Sequence, residues 1–187
     1  MTQNLLDKAI IFAVERHSGA MRKGSSIPYI VHPMEAVAVA ASMTGDPEVL
    51  SAVVLHDVVE DTDTDISEIK EKFGAHVARL VSAESEDKMP GIPAAESWRL
   101  RKEATIRSLD SASIEEKIIV LSDKLSNIRS LYRDILRAGD QAFNKFNQKD
   151  KTQHEWYFRS IKERLPELSG SVAFQEFCTL IDKVFEM

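Results

Sequence analysis

The chain contains 187 residues, of which 43% are hydrophobic and 29% are charged. This length and composition predict a single globular domain, residues 1–187, with a substantial buried core. The formal net charge is -6 and the basic residues are scattered among acidic ones, which argues against a nucleic-acid polymer as a partner. A small anionic ligand remains compatible with this charge, because it needs only a few local cations.

Membrane insertion and disulfide bonding are not expected. The longest apolar runs, residues 9–14 and 36–41, are too short to cross a bilayer, and Asp7 interrupts any signal-peptide pattern. We therefore expect a cytoplasmic protein with no membrane partner. Cys178 is the only cysteine, which excludes an internal disulfide and a thiolate metal cluster. Any bound metal would use nitrogen and oxygen ligands.

The first informative segment is a loop at residues 19–28, which carries the basic pair Arg22 and Lys23. Glycine and proline concentrate in this region and predict a break between helices. Proline is favoured at the first position of a helix, so Pro33 predicts that a helix begins there. His32 is then expected at a rigid junction between the loop and this helix.

Residues 46–62 read DPEVLSAVVLHDVVEDT and are predicted to form one helix, with Asp46 as its N-cap and Pro47 as its first residue. This helix is apolar on nearly every side, which is typical of a buried helix. Four potential ligands or proton carriers would share an arc of about 140° on it. They are His56, Asp57, Glu60 and Asp61.

A long helix is predicted from Ile114 onward, because apolar residues there recur at alternating steps of four and three. The residues of this face are Ile114, Ile118, Leu121, Leu125, Ile128, Tyr132 and Ile135. Asp123 follows a full helical turn of apolar residues, and Asn127 lies one turn after Asp123 on the same face of the helix. The same spacing over 174–185 predicts a C-terminal helix, and residues 87–95 are predicted to be a surface loop. No segment alternates with period two, so the predicted fold class is all-α, a helical bundle.

Carboxylates in such apolar helices require compensation. Burial without a partner costs about 2 to 7 kcal/mol even for a neutral polar group. A divalent cation shared by Asp57 and Asp123, and completed by His32 and His56, would offset both penalties together. The alternative is a hydrogen-bonded core pair, which is the commoner explanation of a single His-Asp pair on an apolar helix.

The order H(x23)HDVVEDT(x60)DKLSNIR resembles the HD-domain superfamily, in its RelA/SpoT hydrolase branch that includes the small alarmone hydrolases. The segments RKG(x3)PYIVHP, FGAHVARLV, SEDK and HEWYF also appear in the order expected for this branch. The resemblance implies that one manganese ion is bound by His32, His56, Asp57 and Asp123. A site with two imidazoles, two carboxylates and room for water suits manganese without excluding iron, cobalt or zinc.

The same resemblance implies roles for further residues. Glu60 and Asp61 resemble the acid pair that orients or deprotonates the attacking water; their alternative is a pair of solvated acids at a helix C-terminus. The resemblance places other residues in contact with the substrate. The alternative for each of them is a side chain that is solvated or that serves only in packing. These are Arg22 and Lys23 at the phosphates, Asn127 at the substrate, Tyr157 near the nucleobase, and Lys88 as a further candidate for a distal phosphate.

The implied activity is hydrolysis of guanosine 3′-pyrophosphates, ppGpp and pppGpp, to GDP or GTP and pyrophosphate. Only about 60 residues follow the catalytic set, fewer than a nucleotide-transferring domain requires, so we expect a stand-alone degrader. One alternative is another nucleotide phosphohydrolase on this scaffold, such as an NADPH phosphatase. A second is a nucleotide-sensing module without catalysis. The sequence predicts no oligomeric state.

Three further histidines lack a set of polar neighbours in the sequence. His17 lies at the entry to the basic loop, His76 in the first turn of a helix, and His154 among residues expected to face solvent. We predict that all three are structural.

Overall fold

The computed structural model describes residues 4–85 and 91–186 of the chain. Within these ranges it contains α-helices, two short 3-10 helices and no strand; an isolated bridge joins Met21 and Pro28. The predicted all-α class is therefore confirmed. In the same ranges, no helix has the length and apolar character that crossing a bilayer requires.

The α-helices are listed here in chain order. They are α1 (Leu5–Arg16), α2 (Val31–Ala40), α3 (Pro47–Leu55), α4 (Val58–Asp61), α5 (Ile66–Phe73), α6 (Ala75–Glu84), α7 (Ala94–Ser108), α8 (Ile114–Ala138), α9 (Lys151–Glu163) and α10 (Val172–Phe185). The 3-10 helices are Gly139–Lys145 and Pro166–Leu168. Residues 86–90, which include Lys88 and the start of the predicted 87–95 loop, lie outside the described residues.

Helix α8 is the centre of the bundle. It packs mainly against α2 and α10, while α3 joins α1, α2 and α6 in a second layer that also contacts α8. The helix starts at a capping box, in which Ser113 accepts from the amide of Glu116 and the Glu116 carboxylate accepts from the amide of Ser113. Two amide groups at the helix start are thereby satisfied.

The predicted buried face of α8 is correct from its second turn onward. Ile118, Leu121, Leu125 and Ile128 are all buried, but Ile114 at the first position is 48% exposed. The pattern therefore begins one turn later than the sequence suggests. The predicted C-terminal helix is confirmed as α10, which buries most of its apolar face.

The expected single helix over residues 46–62 is wrong. Asp46 caps α3 as predicted, accepting from the amide of Glu48 at 2.8 Å, but α3 ends at Leu55 and α4 starts only at Val58. The interruption occurs at His56. Its ring Nδ1 lies 2.7 Å from the carbonyl of Val53, the acceptor that the amide of the next residue would use in a continuing helix.

The helix that carries His32 starts two residues earlier than predicted, at Val31 instead of Pro33. Proline is tolerated within the first turn because the amide groups there have no acceptor inside the helix. His32 is therefore part of α2, and its ring is 3% exposed.

The basic loop before α2 has a defined backbone. The amide of Arg22 donates to the carbonyl of Ile27 at 2.8 Å, and the amide of Tyr29 donates to the carbonyl of Ala20 at 2.9 Å. Gly24 has a φ of +73° and a Cβ there would lie 3.2 Å from the side chain of Lys145. Glycine suits both the left-handed backbone and the close approach.

The contrast along α8 predicts a difference in stability. We expect Ile128→Ala to lower the free energy of unfolding by about 2 to 5 kcal/mol, because it leaves a cavity in the core. Ile114→Ala, the matched control on the same helix, should change it by less than about 0.5 kcal/mol. Urea unfolding followed by circular dichroism measures both, and equal losses would contradict the assigned boundary of the core.

Candidate metal centre and adjoining cavities

Four predicted ligands converge from three parts of the fold. His32 comes from α2, His56 and Asp57 from the turn between α3 and α4, and Asp123 from α8. Nε2 of His32 lies 3.4 Å from Oδ2 of Asp57 and 3.1 Å from Oδ1 of Asp123. Nε2 of His56 lies 3.1 Å and 3.6 Å from the same two oxygens.

These separations fit a divalent cation. Ligand bonds of about 2.1 Å at right angles place neighbouring ligand atoms about 3 Å apart. Atoms of His32, His56 and Asp57 all lie within 4.8 Å of one another, as a shared ion requires. The donor set of two imidazole nitrogens and carboxylate oxygens suits such an ion.

The ring of His56 is oriented for coordination. Its Nδ1 faces the carbonyl of Val53, so Nδ1 carries the proton in the neutral ring and Nε2 keeps a lone pair. Nε2 is buried and has no hydrogen-bond partner among the described residues. A lone pair facing two carboxylates is unfavourable, and a cation between them would remove this repulsion.

The electrostatics of the cluster also indicate that it needs a positive charge. Burial disfavours a charged His56 ring, yet Asp57 and Asp123 outweigh it and raise the pKa of His56 well above its usual value. Burial likewise opposes ionisation of Asp57, but His56 and His32 hold the pKa of Asp57 well below its usual range. The cluster therefore attracts positive charge, either protons or a metal ion.

Each carboxylate has a fixed partner outside the cluster. The hydroxyl of Tyr29 donates to Oδ2 of Asp57 at 2.7 Å. Asp123 accepts from the ammonium of Lys124 through Oδ2 and from the amide of Asn127 through Oδ1. Lys124, despite the burial that opposes it, lowers the pKa of Asp123 well below its usual range.

A polar cavity of about 210 Å³ opens beside the cluster. Glu60 and Asp61, at the C-terminal end of α4, line it together with Arg22. The guanidinium of Arg22 donates to Oδ1 of Asn127 at 2.8 Å, which holds this cation at the cavity wall. The structure thus places the predicted acid pair and Arg22 beside the ligands.

A second cavity of about 330 Å³ adjoins the first. The two cavities share a wall made of Arg22, Tyr29, Lys102, Lys124 and Asn127. Beyond that wall the second cavity is lined by the rings of Trp98, Phe146, His154, Tyr157 and Phe158 and by the cations Lys23 and Lys145. The two cavities therefore adjoin across these shared residues, with the ligand cluster on one side and the aromatic rings on the other.

The structure separates the two basic residues of the loop. Arg22 lines both cavities, whereas Lys23 is exposed, borders only the aromatic one and donates to Oδ1 of Asn147 at 3.2 Å. Tyr157 is 5% exposed, and its hydroxyl has no hydrogen-bond partner in the described part of the chain. The ammonium of Lys102 lies 4.9 Å from the centre of its ring.

One expectation about the histidines is wrong. His154 does not face solvent: it is 7% exposed, its Nε2 lies 2.8 Å from the carbonyl of Gln148, and its ring lies 5.0 Å from that of Phe146. Burial lowers the pKa of His154. His17 is buried close to the site, and its ring lies 4.8 Å from that of Tyr29. Burial lowers its pKa although Asp57 opposes the shift.

Sequence reasoning missed several residues that line the pocket. Tyr29 lies three residues before His32, and Lys124 directly follows Asp123, so both were visible beside assigned ligands. Trp98 and Lys102 are one turn apart on α7. Their place at the cavities depends on the packing of α7 against α9, which no local sequence pattern shows.

These features define a class of protein: an all-helical protein with a histidine and aspartate cluster suited to a divalent metal. A family model described as HD domain matches residues 9–152. The chain belongs to the HD-domain family.

Individual relatives agree with this assignment. The chain is 39% identical over 133 residues to the guanosine-3′,5′-bis(diphosphate) 3′-pyrophosphohydrolase MESH1 of Danio rerio, which covers 69% of this chain and 70% of that protein. The Homo sapiens protein of the same name is 40% identical over 129 residues, covering 67% and 69%. Among solved structures, a metazoan ortholog of SpoT shares the fold with a TM-score of 0.75 at 24% identity, covering 100% of this chain and 96% of that one.

The ligand cluster predicts stabilisation by metal. At a free Mn²⁺ concentration of 100 times Kd, linkage adds about 2.7 kcal/mol to the free energy of unfolding. We expect the melting temperature to rise by about 5 to 10 °C. The rise should disappear in His56→Asn and persist in His76→Asn, which replaces a partly exposed histidine outside the cluster. Differential scanning fluorimetry after chelator treatment measures it, and an equal rise in both variants would contradict the assigned ligands.

Proposed function

We propose that this chain hydrolyses the guanosine 3′-pyrophosphates ppGpp and pppGpp, releasing pyrophosphate and GDP or GTP. The observation that carries the proposal is the pair of adjoining cavities, with a carboxylate and imidazole cluster at one end and aromatic rings at the other. A nucleotide with a pyrophosphate at its 3′ position presents matching groups in that order. Relatives that align over most of their length carry the name of this activity.

We further propose that one Mn²⁺ ion is bound by His32, His56, Asp57 and Asp123. The lone pair of His56 and the adjacent carboxylates support this set. When bound, such an ion supplies Lewis acidity, which polarises a phosphoryl oxygen and makes a water more acidic. Residues 1–187 act as one catalytic unit in this proposal.

Glu60 and Asp61 are proposed to handle the proton of the attacking water. Both line the polar cavity beside the ligands, and Asp61 lies within reach of the Tyr29 hydroxyl. One carboxylate takes a proton as the water oxygen bonds to the phosphorus of the 3′ ester. The bond between that phosphorus and the 3′ oxygen breaks, and the 3′ oxygen leaves with the nucleotide and takes up a proton.

The cations at the shared wall are proposed to bind the phosphates. Arg22 is anchored by Asn127 and lies with its guanidinium 5.5 Å from the ring centre of Tyr29, so it is already oriented before substrate arrives. Lys102 and Lys124 border both cavities and add positive charge. Fixed cations of this kind stabilise a polyanion and the charge that develops during phosphoryl transfer.

The aromatic end is proposed to hold the guanine base. Trp98 and Tyr157 are nearly buried, and their rings lie 6.1 Å apart and almost perpendicular. A flat base would gain from stacking or edge contacts with such rings. The unpartnered hydroxyl of Tyr157 is a candidate donor to the base or ribose.

Hydrolysis should depend on the acid pair. We expect the purified 187-residue chain with Mn²⁺ to release pyrophosphate from ppGpp without a second polypeptide. Glu60→Ala should lower kcat by about 10²- to 10⁴-fold while Mn²⁺ affinity is retained, because the residue handles a proton and is not a ligand. Pyrophosphate release and metal titration measure the two effects.

The control for this experiment is Asp63→Ala, which removes an exposed acid just beyond α4. It should keep full turnover. Full activity of Glu60→Ala would remove this residue from the mechanism. Phosphate release from NADPH with no pyrophosphate release from ppGpp would refute the proposed substrate.

The loop residues should differ in their effect on the substrate. Arg22→Ala should lower kcat/KM for ppGpp by about 10- to 100-fold, the loss expected for a hydrogen bond to a charged group. Lys23→Ala should lower it by less than about 5-fold, because Lys23 is exposed and screened. Steady-state kinetics at fixed ionic strength measure both. Equal losses would contradict the separation of these residues in the structure.

A further inference from the structure

A chain of polar contacts runs from His32 away from the pocket. Nδ1 of His32 lies 2.9 Å from Oγ of Ser126, and that hydroxyl lies 2.8 Å from Oε2 of Glu35. Arg129 lies 3.4 Å from the other oxygen of Glu35. It also donates two hydrogen bonds, of 2.6 and 2.7 Å, to the carboxylate of Glu176 on α10. The chain joins α2, α8 and α10, and none of its members beyond His32 lines the two cavities.

The contacts fix the direction of every proton near His32. An ionised Glu35 can only accept, so the single hydroxyl proton of Ser126 points to Glu35. The Ser126 oxygen must then accept from Nδ1 of His32. In the neutral ring this places the single imidazole proton on Nδ1 and leaves a lone pair on Nε2, the atom that faces Asp57 and Asp123.

We propose that Glu35 and Ser126 are positioning residues that set the tautomer of His32 and thereby the metal affinity of the centre. The inference rests on the proposed metal site, because His32 binds an ion only through an unprotonated Nε2. It assigns a role to two side chains that touch neither substrate nor metal. Outer partners of ligating histidines commonly contribute 10- to 100-fold in metal affinity.

The carboxylate of Glu35 sets the direction of the hydrogen bonds from His32 through Ser126, because it only accepts. Arg129 and Arg133 lie 3.4 and 3.8 Å from its two oxygens. Arg129 is itself held by the two contacts to Glu176, which keep its guanidinium in place. The C-terminal helix is therefore the outer end of this chain of contacts.

Glu35→Gln tests these positioning roles directly, although it replaces only one carboxylate oxygen with an amide NH₂ group. Arg129 lies nearer to its oxygen of Glu35 than Arg133 does, at 3.4 Å against 3.8 Å, so we expect the amide oxygen of the new side chain to face Arg129. The amide NH₂ would then face Ser126 and donate to it. Ser126 would turn its own proton toward Nδ1 of His32, which favours the imidazole proton on Nε2 and weakens coordination.

The experiment compares wild type with Glu35→Gln, Ser126→Ala and two controls. Glu176→Gln makes the same chemical change one link further out, and Ser51→Ala removes another buried hydroxyl, one bonded to the carbonyl of Pro47. The tautomer of His32 is read in the metal-free protein from ¹⁵N chemical shifts of the histidine rings. Mn²⁺ affinity is measured by the electron paramagnetic resonance of free Mn²⁺, and folding by the metal-free melting temperature.

We expect Glu35→Gln to move the His32 proton from Nδ1 to Nε2 and to weaken Mn²⁺ binding by about 10- to 100-fold. Ser126→Ala should weaken binding to a similar extent, and both controls should match wild type. A wild-type tautomer and affinity in Glu35→Gln would overturn the proposal, and so would an equal loss in Glu176→Gln. If Ser126→Ala fails to fold, Glu35→Gln decides alone, since Glu35 is partly exposed.

The outcome is separable from that of the proposed function. A tautomer shift and weaker Mn²⁺ binding in a protein that does not hydrolyse ppGpp would sustain the positioning roles and refute only the substrate. Hydrolysis of ppGpp with an unaltered His32 in Glu35→Gln would sustain the substrate and refute the positioning roles.

Discussion

Four electron-rich ligand atoms meet in a buried place, and this constraint governs the rest of the site. The two Nε2 atoms and the two carboxylate oxygens lie between 3.1 and 3.6 Å apart across the cluster. Without a positive charge between them, desolvation and mutual repulsion would favour separation of α2, α3 and α8. A shared cation turns the same contacts into a link between three helices, so binding of the ion and packing of the bundle support each other.

Helix α8 combines the core and the site within two turns. Its apolar face, including Leu121 and Leu125, is buried, while three polar residues of the same two turns each have a defined contact. Asp123 belongs to the cluster, Ser126 contacts His32, and Asn127 joins Asp123 to Arg22. Because one rigid helix carries these groups, their spacing is set by backbone geometry and does not depend on a loop.

The sequence predicts a feature correctly when the residues that determine it are close together in the chain. Prediction fails where contacts between distant segments determine the structure. The convergence of His32, His56, Asp57 and Asp123 was predictable because buried carboxylates in apolar helices need a cation and because the order of the motifs is specific. The end of α3 was not, since it depends on His56 taking the carbonyl of Val53. The burial of His154 was also hidden, because Trp98 and Phe146, which surround it, come from separate segments without a common spacing. Tertiary context overrides local pattern at these positions.

The charge balance of the centre explains why a divalent ion suits it better than a monovalent one. Asp57, Asp123 and Glu84 bring three negative charges to the buried region, and the ammonium of Lys124 contacts both Asp123 and Glu84 and supplies one positive charge. Burial raises the pKa of Glu84, which shows the cost of leaving that charge uncompensated, although Lys124 opposes the shift. Two further positive charges bring the group to neutrality. The acid pair on α4 lies outside this balance and lines the cavity.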